Sequence, residues 1–171
     1  RGRMVEVLAD GTTTNSGAKT NLDGTGLTIT FPEFESSTAK PDVVDKLKGV
    51  YSVKGKVTIQ VLYGSDAKAA DGAAWGRGTT ATDVTAMDTT VGFHESCHMA
   101  DFKAAMKKPF PPAFGGKVGQ KTTDYDAECT KTENAIEQFF KDAETASRTN
   151  TDEVGTKMSD YVKTHVGVTG H

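Results

Sequence analysis

Residues 94–98 read His94-Glu95-Ser96-Cys97-His98 and fit the pattern H-E-x-x-H. On a helix, positions four apart share one face. Both imidazoles can then reach a single Zn²⁺ at about 2.0–2.1 Å. Glu95 points to the neighbouring side, where it can take a proton from a water held by the cation. Zinc lowers the pKa of such a water to around 7, which makes a nucleophile at neutral pH. The glutamate can then pass the proton to a leaving amine. Chemistry of this kind also needs a donor to the developing oxyanion, and Tyr125, Tyr161 and His165 are the candidates.

The elements that must hold these residues are legible in the patterning. Residues 89–107 read as a helix, with Asp88, Thr89 or Thr90 able to cap it and Phe93, Cys97, Ala100 and Ala104 at helical spacing. The run 108–116, rich in Pro and Gly, must end it. A second helix starts near Thr122 or Thr123, carries the stripe Tyr125, Cys129, Thr132, Ile136, Phe139, Phe140 and Ala143, and ends near Ser147. The spacing of Val154, Met158, Tyr161 and Val162 predicts a third over 152–163.

Ahead of the motif, residues 1–25 are polar and read as a flexible arm or loops, with a short strand at 4–8. Residues 26–31 alternate and stop at Pro32, which predicts a strand. Residues 41–47 resemble a short helix, with Pro early and apolar residues three and four apart. The clearest strand is 56–63, with 50–53 as its partner across Lys54-Gly55. Residues 64–83 have no period and hold the lone Trp, so they read as a long loop. Strands first and helices after predict an α+β fold, with 26–171 as one domain: a small N-terminal antiparallel sheet followed by a helical part.

Composition narrows the function classes. The chain has 171 residues, 25% of them charged, and a net charge of −3 with acids and bases interleaved. A nucleic-acid binder would show a basic face. No apolar run approaches the ~20 residues of a membrane span, and no signal peptide is visible behind the opening Arg1-Gly2-Arg3. Two cysteines, Cys97 and Cys129, are too few for a disulfide framework; they could form one bridge or be two buried thiols.

Strand, motif helix and following helix, over about 55–145, resemble the zincin metallopeptidases. That resemblance implies a small N-terminal sheet whose strand binds extended substrate, an active-site helix and one catalytic zinc. The metzincin extension is absent, since Met99-Ala100-Asp101 follows His98. The gluzincin pattern, with a Glu from a following helix as third ligand, stays open. Glu128 lies on the edge of the second helix's apolar stripe, nearer its centre than Glu133, and is preferred. Glu133 is the alternative, because Glu133-Asn134-Ala135-Ile136-Glu137 resembles the gluzincin ligand pattern. Asp152, Glu153 and His165 come next. Asp101 shares the histidine face, but the rise from 94 to 101 is about 10 Å. It reads as an acceptor behind a ligand or as a helix-face salt bridge.

The motif, the Pro-rich loop and the long helices also resemble compact zinc peptidase domains at the C-termini of bacterial secreted effectors and polymorphic toxins. The expectation is a zinc metallopeptidase with Glu95 as general base and His94, His98 and Glu128 on one Zn²⁺. Its substrate would be a protein or peptide. The resemblance implies delivery by a bacterial secretion system as part of a larger parent protein, with an immunity protein as possible partner. The alternative is a non-catalytic zinc-binding structural or interaction module of a secretion-associated protein, which a fourth protein ligand beside Glu95 would favour.

Overall fold

The computed structural model describes residues 3–110 and 113–170. Strands β1 (Arg3–Val7), β2 (Gly11–Thr12), β3 (Ala18–Asp23) and β4 (Leu27–Thr30) all pair with one long strand. β5 (Glu33–Glu35) and β6 (Lys46–Lys48) form a separate antiparallel pair. The long strand is β7 (Ser52–Tyr63), to which β2 runs parallel and β3 and β4 antiparallel. Helices α1 (Ala81–Thr85), α2 (Val91–Met106), α3 (Thr122–Ser147) and α4 (Met158–Thr164) follow, and a π-helical turn, Arg148–Asp152, continues α3. The layout is α+β, with the sheet N-terminal and the helices C-terminal. Among the described residues, no helix is long and apolar enough to cross a membrane.

The chain falls into two compact units, each built from three separated segments. One comprises 1–4, 24–57 and 109–141; the other comprises 5–23, 58–108 and 142–171. The first has Val44, Val57, Tyr125 and Ile136 buried. Around Tyr125 sits an aromatic cluster in which Phe114 lies edge-on at 5.4 Å and Phe34 at 5.2 Å between ring centroids. The Tyr125 hydroxyl donates to the Pro32 carbonyl. The second unit buries Ile59, Val61, Phe102, Met106, Ala143 and Met158. In it, α2 packs on β3 and on the π-turn.

Several elements depart from the sequence expectations, and the backbone partners explain why. Ala18–Asp23, expected as arm or loop, is a strand paired along its whole length with Thr58–Tyr63. Its alternation is hidden in the sequence because the buried positions are Ala18 and Thr20, neither strongly apolar. The short helix expected at 41–47 does not form. The Val44 N–H donates to the Gln120 carbonyl at 2.8 Å and the Asp45 N–H to the Glu35 carbonyl at 2.8 Å, so long-range partners replace helical ones. Residues 52–63 are one strand, not two strands joined at Lys54-Gly55. Gly55, at φ +119°, lets the Gly26 carbonyl approach to 2.1 Å from where a Cβ would stand. Most consequential, 152–163 is not a single helix. Asp152 closes the π-turn, and α4 begins only at Met158.

Candidate metal centre

Helix α2 starts where its capping chemistry places it. Thr90 is the N-cap, its hydroxyl accepting from the Phe93 N–H at 3.1 Å. The buried face of α2 carries His94, Glu95, His98, Phe102 and Met106. Three of these five are titratable, so this face is built for more than packing.

Asp152 completes the site. His94 Nε2 lies 3.1 Å and His98 Nε2 3.0 Å from the same oxygen, Asp152 Oδ1. Among the described residues, this is the one group of three or more potential ligands whose donor atoms cluster within 4.8 Å, and all three residues are buried. The far side of each ring is also held. His94 Nδ1 meets the Arg77 carbonyl at 2.9 Å. A carbonyl only accepts, so Nδ1 carries a proton, and in its neutral form His94 turns a bare lone pair on Nε2 toward Asp152. His98 Nδ1 meets Ser147 Oγ at 2.7 Å, and Ser147 gives its own proton to Asp101. The same assignment follows for His98.

In the neutral forms, two lone pairs converge on a carboxylate oxygen. That arrangement is repulsive unless positive charge sits between them. Two added protons would supply it, or one cation. A tetrahedral cation with bonds of about 2.0–2.1 Å sets its donors about 3.3 Å apart, close to the separations present. The donor set of two imidazoles and one carboxylate suits a divalent cation of the zinc type. The surroundings favour positive charge at this point, from a proton as much as from a cation. Burial pulls the His94 imidazole down, but its bonds to Asp152 and the Arg77 carbonyl, with the charges of Glu95 and Asp152, outweigh that and hold it above its ordinary value.

The loop that precedes the motif helix supplies the support. Arg77 N donates to the Thr151 carbonyl at 2.7 Å and Gly76 N to the Thr156 carbonyl at 2.7 Å, tying the loop to the segment that carries Asp152. Gly76 is required there: at φ +67°, a Cβ would stand 2.0 Å from the Thr151 carbonyl and 2.9 Å from His94 Cε1. Asp83 clamps the Arg77 guanidinium through two bonds, at 2.8 and 2.9 Å, and also accepts from Gly78 N. That guanidinium holds the Asp83 carboxyl well below the usual carboxylate range.

Glu95 stands apart from the ligand group. It is 1% exposed, and Thr20 on β3 donates to its Oε2 at 2.7 Å. His94 and Glu95 line a cleft of about 760 Å³ whose walls include Leu62, Trp75 and Val91. Residues 167–170 line the same cleft. His98 and Asp152 line a smaller pocket of about 100 Å³ with Lys19, Thr20 and Arg148.

The motif residues are thus brought together, while the preferred third ligand is not. Glu128 pairs with Lys131 on its own helix at 3.6 Å and is absent from the group, and Glu133 is exposed. Of the residues ranked next, Asp152 joins. Glu153 instead accepts from the backbone and hydroxyl of Ser159, at 3.0 and 2.6 Å. The oxyanion candidates are placed elsewhere. Tyr125 is committed to Pro32. Tyr161 stacks on His165 at 3.6 Å and meets Trp75 at 5.3 Å, but neither Tyr161 nor His165 is among the cleft-lining residues. Cys97 and Cys129 are both free thiols, and burial pushes both up. Thr20, Ser147 and Thr151 were not singled out in the sequence. The run Thr149-Asn150-Thr151-Asp152 was the available signal, a turn-forming cluster just after a long helix.

Compared with known proteins, the chain matches no family model, no curated protein sequence and no solved structure.

Proposed function

We propose that this chain is a zinc-dependent peptidase, with His94, His98 and Asp152 holding one ion and Glu95 acting as general base. The observation that carries the reading is the convergence of both Nε2 atoms on Asp152 Oδ1, with Glu95 buried beside them but outside the group. A zinc ion would supply Lewis acidity at that point. Every other role falls to the chain. The cleft of about 760 Å³ admits an extended peptide and partly excludes water. Thr20 occupies Glu95 Oε2, which leaves Oε1 to take a proton from water and return it to the leaving nitrogen. Among the described residues three His or carboxylate donors group here rather than four, which favours a catalytic site over a structural one. The wider setting, a toxin or effector domain of a larger bacterial protein, rests on the motif resemblance alone.

Metal analysis of the purified protein should give close to one zinc per chain, and His94→Ala should lose it. Glu95→Gln should keep the zinc and lose peptide hydrolysis by at least ~10²-fold. A folded parent that takes up no zinc overturns the metal site. Full hydrolysis by Glu95→Gln removes the glutamate from the mechanism.

A further inference from the structure

Behind His98 lies a network that neither holds the cation nor faces the cleft. His98 Nδ1 meets Ser147 Oγ at 2.7 Å, and Ser147 Oγ meets Asp101 Oδ2 at 3.0 Å. Thr151 Oγ1 reaches the same Oδ2 at 2.9 Å. A hydroxyl has one proton to give. With the Asp101 carboxylate accepting from Ser147, the serine offers His98 only a lone pair. The imidazole must then carry its proton on Nδ1 and leave Nε2 bare, which is the tautomer a cation needs. Thr151 commits its own proton to the same oxygen, and Thr151 precedes Asp152 in the π-turn. One carboxylate on α2 therefore reaches two of the three ligands without touching either.

We infer that Asp101 is a positioning residue for the metal centre. Through Ser147 it sets the proton of His98; through Thr151 it holds the turn that aims Asp152. The inference rests on the metal-site reading above and adds a cause for affinity lying outside the ligands. Partners of this kind are typically worth 10–100-fold in metal affinity. Ser147 and Thr151 are each 1% exposed, so the network is sheltered from competing water. If the acceptor is removed, Ser147 is released to turn its proton toward Nδ1. His98 then favours the Nε2–H form, which opposes the cation.

The test measures Zn²⁺ affinity by chelator competition for the parent, Asp101→Leu, Asp101→Asn and Ser147→Ala. It also records ¹⁵N imidazole spectra of the metal-free proteins at alkaline pH. Asp101→Leu should weaken Zn²⁺ binding by about 10–100-fold and move the His98 proton from Nδ1 to Nε2. Asp101→Asn can keep an amide oxygen facing both hydroxyls, so it should recover most of the affinity and the parent tautomer. Ser147→Ala reads the same link should Asp101→Leu fail to fold, and should weaken binding while Asp101→Asn does not. Two results overturn the inference: Asp101→Leu, or Ser147→Ala in its place, binding Zn²⁺ as tightly as the parent, or Asp101→Leu and Asp101→Asn weakening it equally with no change of tautomer. A parent that binds no Zn²⁺ fails at the metal site itself, a distinct result.

Discussion

Thr20 Oγ1 donates to Glu95 Oε2 at 2.7 Å across 75 residues of chain. The contact joins β3 to the motif helix at the one buried carboxylate of the motif. A carboxylate this buried needs a donor to remain oriented. Thr20→Val keeps the branched shape and removes the donor. It should leave zinc content unchanged and lower peptide hydrolysis by roughly tenfold, the kinetic equivalent of about 1–2 kcal/mol. Steady-state kinetics beside metal analysis check this. Loss of zinc would make Thr20 a structural support instead of an orienting one.

Asp152 and Glu128 make opposed predictions. Removing Asp152 deletes the oxygen on which both imidazoles converge, so Asp152→Ala should lower zinc affinity by more than ~10²-fold. Glu128 pairs with Lys131 on its own helix and is outside the His94, His98 and Asp152 group, and pairs with one exposed partner contribute about 0–1 kcal/mol. Glu128→Ala and Glu133→Ala should therefore retain zinc like the parent. Equilibrium dialysis of the three variants decides, and zinc loss in Glu128→Ala alone would restore the helix-borne ligand.

The Arg77–Asp83 clamp should show a defined pH signature. Asp83 is depressed in the folded protein by the Arg77 guanidinium. Its contribution is therefore fully present above the unfolded carboxylate value of about 3.9 and is lost as pH falls through the lower folded value. Asp83→Asn should destabilise the protein by about 1–3 kcal/mol at neutral pH. The gap to the parent should stay constant down to about pH 4 and close below it. Thermal melts across that range check the sign. A gap that widens on acidification would remove the clamp as its source.

Residues 167–170 share the cleft with His94 and Glu95. In the proposed peptidase a peptide would have to displace these residues or share space with them, and a binding-competent state that is only fractionally populated weakens apparent affinity in proportion. Deleting residues from 167 onward should lower KM for a peptide substrate several-fold and leave zinc content unchanged. An unchanged KM would show that the segment does not obstruct the site.

Much of this architecture is local and therefore readable in order along the chain. The α2 boundaries follow from Thr90 as cap and the breaker run after 107. The histidines share a face because they are four apart on a helix, and α3 runs over Thr122–Ser147 as its stripe predicts. The period-two burial of Val57, Ile59 and Val61 marks β7. Cap chemistry and periodicity act within a few residues, so one sequence suffices to see them.

The third member of the His94, His98 and Asp152 group is different, and only the tertiary structure decides it. Asp152 lies 54 residues beyond His98, in a stretch whose apolar spacing imitates a helix. What turns its carboxylate inward is a π-turn held by Arg77 N on the Thr151 carbonyl and by Thr151 on Asp101, partners 50 and more residues away. Glu128 has the better local credentials on a helix stripe, yet a stripe position says which side of a helix is buried and not what it is buried against. Thr20 is hidden for the same reason: its value as a strand residue lies in facing Glu95, a polar partner that no alternation of apolar residues can announce. Which carboxylate joins the two histidines depends on distant backbone donors closing one turn, and a local pattern carries no information about those.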